Sequence, residues 1–148
     1  MARRAWSCRT QDELPETDED YYFYYSSTQR IFGKIPDLDE ITKKLGLCPT
    51  DTHRRGERIR YRSEPLKNDM WSYLSPVPEE RRLDVHIQTL WAHIKPHKDY
   101  LMGLKERLTV DVFYGYRSNC GTAGIKVSHH SLEMFIELEI PFGLSIIY

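Results

Sequence analysis

LTVDVFYGY, residues 108 to 116, alternates strictly. Leu108, Val110, Val112, Tyr114 and Tyr116 fall on one side, and Thr109, Asp111 and Phe113 on the other. Successive side chains of a strand point to opposite faces, so a period of two predicts a strand with one face on a core. A sheet buried on one face needs a second layer to cover it. The preceding segment, RLDVHIQTLWAHIKPHKDYLMGLKERL (82–108), has the right pattern for that layer. Leu83, Ile87, Leu90, Ile94 and Leu101 form one stripe at helical spacing. Pro96 deletes one backbone hydrogen bond and clashes with the turn before it, which predicts a kink or a second helix starting there.

On the C-terminal side, the two glycines and the asparagine of SNCGTAG (118–124) accept positive φ and predict a hairpin into a strand at Ile125–Val127. Ser128 is positioned to cap a helix over HHSLEMFIELE (129–139) with Leu132, Phe135 and Ile136 buried, and GLSIIY (143–148) closes as a strand. On the N-terminal side, YYFYYSSTQ (21–29) carries aromatic residues on both faces and reads as an interior strand. Asp37 and Glu40 form a capping box for a helix that buries Leu38, Ile41 and Leu45. Gly46 ends this helix in the left-handed region, and Pro49 prevents its resumption. TDTHRRGERIRYRSEPLKN (50–68) is long for a connection and reads as a functional loop or a hairpin. MWSYLSP (70–76) is a strand stopped by Pro76 and Pro78.

The resulting order, β-α-β-α-β-β-α-β, predicts an α+β fold: a two-layer sandwich with a mostly antiparallel sheet and helices on one face. A ferredoxin-like connectivity is compatible with it. One domain is expected over residues 21–148. Residues 1–20 are expected to be a mobile tail, because six carboxylates between Asp12 and Asp20 accompany a single strong apolar anchor, Trp6.

The chain has 148 residues, 21 basic and 22 acidic, for a formal charge of −1. No global field therefore draws it to nucleic acid or to an anionic membrane. Cys8, Cys48 and Cys120 are odd in number and lack CxxC spacing, which suits a reducing cytoplasm rather than a disulfide framework. No apolar run approaches the ~18 residues of a membrane span. A soluble cytoplasmic protein is expected.

Cys120 with His129 and His130 invites a thiolate or zinc reading. The strand expected between Gly124 and Ser128 separates them by roughly 13 Å, so no local site forms. His86, His93 and His97 lie at i, i+7 and i+11, but Pro96 disturbs their register and no carboxylate joins them. No metal, cofactor or catalytic residue is expected, and no phosphate loop, dinucleotide fingerprint, nucleophile elbow or HExxH occurs. RRGERIRYR (54–62) is the strongest electrostatic feature. Arg54, Arg55, Arg58 and Arg60 with the interleaved Tyr61 form a candidate binding surface, supplemented by Tyr22 from the aromatic strand. A charge run of this kind is otherwise a solvated loop.

The helix ending in LGL-x-P-T (Leu45 to Thr50), the R-x-G-E run from Arg54 to Glu57, the Trp71-Ser72 strand, the long helical region and the terminal alternating strand ending in tyrosine together resemble the domain of unknown function 4279 family, found mainly in bacteria. The resemblance spans about residues 21 to 148. It implies a small α+β sandwich and brings no activity, cofactor or catalytic residue. Function is therefore expected to be that of a non-enzymatic protein-binding module, such as a small immunity-type partner protein. The alternative is an RNA-binding α+β domain using the arginine loop, and an enzyme with a site assembled from distant residues is third.

Overall fold

The computed structural model describes residues 22–120 and 125–147. The tail expected over residues 1–20, and the hairpin tip expected at residues 121–124, lie outside the described residues. The elements run β1 (Phe23–Gly33), α1 (Leu38–Leu45), β2 (Asp51–His53), β3 (Asp69–Leu74), α2 (Leu83–Ile94), a 3₁₀ turn (Lys95–His97), α3 (Lys98–Leu104), β4 (Thr109–Ser118), α4 (Glu133–Leu138) and β5 (Leu144–Ile147). The five strands form one open sheet in the order β2-β3-β1-β4-β5, antiparallel throughout except for the parallel β4/β5 pair. The fold is α+β, as the sequence pattern predicts.

β1 is the central strand, and its burial alternates along its length. Phe23, Tyr25, Ser27, Gln29 and Ile31 face inward with Trp71 of β3 and Val110, Val112, Tyr114 and Tyr116 of β4. Ile41 and Leu45 of α1, the Leu83–Ile94 stripe of α2, Leu101 and Leu104 of α3, and Met134, Phe135 and Leu138 of α4 complete a single core cluster. The helix after Pro96 is a separate one, because the 3₁₀ turn holds the proline in its first positions, where its missing N–H is not needed.

Three local expectations need correction. Ile125–Val127 form no strand, and the strand beside β4 is β5, running parallel to it. The terminal helix buries Met134, Phe135 and Leu138, while Leu132 and Ile136 are exposed. Residues 128–132 make non-helical turns first, with Ser131 N–H donating to the Ser128 carbonyl, so the helix starts later and presents a different face. Asp37 does cap α1, but its carboxylate accepts from the Asp39 amide at 2.9 Å rather than from Glu40.

Residues 50–68, read as a loop or a hairpin, hold the short strand β2 and, over 54–68, its connection to β3 in an antiparallel hairpin. The excursion is pinned at its neck by Gly56 N–H to the Leu66 carbonyl (2.8 Å) and Leu66 N–H to the Glu57 carbonyl (2.9 Å). Gly56 turns at φ 88°, a left-handed conformation that other residues adopt at a cost. Among the described residues, no helix is long and apolar enough to cross a membrane.

Candidate functional site

The helices of the core cluster lie against one face of the sheet, and among the described residues no helix covers the other face. Alternation places Tyr24, Ser26, Thr28, Arg30 and Phe32 of β1 on that open face. The β1/β4 register sets Tyr24 opposite Arg117, Thr28 opposite Phe113 and Arg30 opposite Asp111. Two of these pairs interact through their side chains. The Arg30 guanidinium meets Asp111 in a two-pronged contact, Nε to Oδ1 at 2.8 Å and the terminal nitrogen to Oδ2 at 2.7 Å. Its carbon also lies 5.0 Å from the Phe113 ring centre and 5.7 Å from that of Phe32. Arg117 sits 4.9 Å over the Tyr24 ring, which stacks on Tyr22, and it faces Glu79 at 3.7 Å. The open face is thus a row of aromatic rings and arginines whose charges are matched by carboxylates on the same face.

At the β3 end of this face, residues 61–68 stand above Arg30, Phe32 and Met70 and enclose a groove of about 660 Å³. Tyr61 on its rim is 89% exposed. A shallower depression of about 260 Å³ lies at the other end, over Gly115, between Phe113, Arg117 and Ile147.

The base of the 54–68 excursion is held from beneath by Asp69. This carboxylate is 3% exposed and accepts the Ile35 amide at Oδ2 and the Arg55 amide at Oδ1, both at 2.9 Å. The Arg55 amide foremost, then the Ile35 amide and the Arg54 guanidinium, hold Asp69 below the usual carboxylate range against the opposing effect of burial. Arg54 donates to the Ile35 carbonyl at 2.7 Å, and Glu57 accepts the Arg54 amide at 2.9 Å.

The residues singled out from sequence therefore divide. Arg54 and the backbone of Arg55 are tied into the neck of the excursion. Arg58, Arg60 and Tyr61 are exposed on it. Tyr22 sits at the opposite end of β1, about 33 Å away at 3.3 Å per strand residue, so it does not share a contiguous patch with the loop. Arg30, Phe32, Asp111, Phe113 and Arg117 escape sequence reasoning, because only the β1/β4 register brings them together. The one available signal is Asp111 and Phe113 on the polar side of the opening alternation.

The histidine candidates are dispersed. His86 is 1% exposed within the core, His93 Nδ1 contacts the Tyr73 hydroxyl at 2.9 Å, and His97 lies in the 3₁₀ turn. The His129 and His130 rings lie against each other at the surface, tilted by 39°. Among the described residues, no group of three or more His, Cys, Asp or Glu side chains is arranged to hold a metal ion.

Of the motifs that carry the family resemblance, LGL-x-P-T, R-x-G-E and Trp71-Ser72 serve the α1–β2–β3 corner. Gly46 caps α1 at φ 64°, Thr50 Oγ1 accepts the Leu74 amide, Trp71 Nε1 donates to Thr42 Oγ1, and Ser72 Oγ donates to the Asp51 carbonyl. A family model described as Domain of unknown function (DUF4279) matches residues 24–148. The chain belongs to that family. No curated protein and no solved structure matches it.

Proposed function

We propose that this domain is a non-enzymatic protein-binding module and that its partner docks on the helix-free face of the sheet. The observation that carries the reading is the row Tyr24–Arg117–Phe113–Arg30–Phe32, aromatic and arginine side chains lying open on a rigid sheet. Such residues anchor protein interfaces because they bury large area at small entropic cost. The charge pairing on the open face favours the protein-binding reading over the RNA-binding one. A polyanion gains affinity by neutralising free cations, whereas Arg30 and Arg117 are already matched by Asp111 and Glu79. A protein surface can use these neutral pairs as they stand.

The strand succession from β1 to β4, with each helical crossover passing over one intervening strand, supports a ferredoxin-like reading with β5 added at the β4 edge. That architecture does not choose among functions. An immunity-type partner protein is one form the module could take.

The test is site-specific photo-crosslinking in the native cells. A benzophenone amino acid at position 113 should yield a discrete adduct that survives nuclease treatment, and the same group at Ala92 on α2 should not. The paired changes Tyr24→Glu and Phe113→Glu should abolish the adduct formed from a probe at Thr28 while leaving the melting temperature within a few degrees. Adducts that disappear with ribonuclease would favour the RNA reading instead. So would oligonucleotide affinity falling with a log–log salt slope of about −0.7 per phosphate contact.

A further inference from the structure

The groove under residues 61–68 has a chemistry unlike the rest of the open face. Its floor is Arg30, Phe32 and Met70, and its rim includes Tyr61, Arg62, Glu64 and Lys67, two cations against one carboxylate. The excursion from Arg54 to Asn68 carries six cations against only Glu57 and Glu64, in a chain whose net charge is −1. Glu57 turns its carboxylate to the Arg54 amide and to His53, and it does not line the groove. Arg62 and Lys67 stand exposed at the mouth of an aromatic-floored cleft. A volume of about 660 Å³ suits a few side chains, being within the range of small-ligand sites.

We infer that this groove binds a short acidic peptide segment, with an aromatic or aliphatic anchor set against Phe32 and Met70 and flanking carboxylates met by Arg62 and Lys67. The inference deepens the protein-binding reading and rests on it. Charge complementarity selects the carboxylates, and the apolar floor selects the anchor. The cations of the sheet itself are paired, Arg30 in the groove floor with Asp111 and Arg117 further along with Glu79. A nucleic-acid strand needs a continuous cationic track with successive stacking platforms. A short acidic motif needs only one pocket and a charged rim. Guanidinium groups favour it further, since their fork geometry matches a carboxylate in two-pronged fashion.

The experiment is a selection of displayed random dodecapeptides on the full chain, run in parallel on the Arg62→Glu, Lys67→Glu double variant. Both changes are on the exposed excursion, and unchanged melting curves establish that the variant is folded. The expected result on the native chain is enrichment of peptides carrying two or more carboxylates beside a Trp, Phe, Leu or Ile. Selection on the variant should lose these peptides and shift towards basic ones. The best native peptide, fluorescently labelled, should bind the variant at least tenfold more weakly and should not be displaced by dodecauridylate. The inference is overturned if no peptide enriches, if enriched peptides lack carboxylates, if they bind the variant equally, or if dodecauridylate displaces them. Failure here with a persisting crosslink from position 113 removes the groove assignment alone. Loss of both removes the protein-binding reading as well.

Discussion

Asp69 and His86 show two ways in which a single buried polar residue shapes this molecule. Asp69 satisfies two backbone amides from segments distant in sequence, at Ile35 and Arg55, and so fixes the excursion to the turn after β1. Removing its charge leaves those amides with a weaker acceptor, and removing the side chain leaves them with none. Loss of a buried hydrogen-bond partner costs on the order of 1–3 kcal/mol. Asp69→Ala is therefore expected to lower stability by that amount in chemical denaturation, with Asp69→Asn intermediate. An Asp69→Ala variant within 0.5 kcal/mol of the native chain (roughly the scatter of neutral surface changes) would show that the contact does not hold the loop. His86 is the opposite case. It lies inside the core, with the carbonyls of Arg81 and Pro78 nearby but outside good hydrogen-bond geometry, and burial lowers its pKa. Replacing such a group by an apolar one of similar size is often close to neutral. His86→Leu is expected to stay within about 1 kcal/mol of the native chain at neutral pH.

At the scale of elements, α4 carries a correctable fault. Its cap residue, Glu139, adopts φ 52°, the left-handed region in which a side chain costs roughly 1 kcal/mol and glycine does not. Glu139→Gly is expected to raise the melting temperature by a few degrees, since the Lys105 ammonium bonds to backbone carbonyls of Leu138 and Glu139 that the substitution retains. A fall in melting temperature would show that the Glu139 side chain contributes more than its backbone strain costs. The same helix shows why some elements are legible in sequence and others are not. LEMFIEL contains two apolar stripes, Leu132/Phe135/Ile136 and Met134/Phe135/Leu138, and in a helix of only six residues the starting point decides which faces inward. The turns fixed by Asp84, whose carboxylate accepts from the Ser128 amide and the Ser131 hydroxyl, set that start from another part of the chain. By contrast, α1 with its Asp37 cap and Gly46 stop, the break at Pro96 and the alternation of β4 are local signals, and the structure contains each. β2 escapes because three largely exposed residues carry no period. The open face is legible only as the polar half of an alternation, since register between β1 and β4 is a long-range property.

For the whole molecule, these buried groups predict how stability responds to acid. The folded pKa of His86 is depressed by burial, so the unfolded chain takes up a proton that the folded chain refuses. Stability associated with this group is intact above the unfolded histidine value of about 6.5, declines as pH falls below it, and levels off at the folded pKa. The folded pKa of Asp69 is depressed as well, chiefly by the Arg55 amide. Its contribution is intact above the unfolded carboxylate value of about 3.9 and is lost as pH falls further. Glu133, lowered by Lys95 and by the Trp91 indole, adds to this second decline, but as an exposed surface group it adds little. Urea midpoints measured from pH 7.5 to pH 3 should therefore show two legs, one beginning below about pH 6.5 and one below about pH 4. His86→Leu should flatten the first leg and leave the second, while Asp69→Asn should make the second shallower and leave the first. The other described histidines, at positions 53, 93, 97, 129 and 130, are all more exposed than His86. If the native and His86→Leu curves run parallel between pH 7 and pH 5, the first leg belongs to a different group, and the core does not hold His86 in its neutral form.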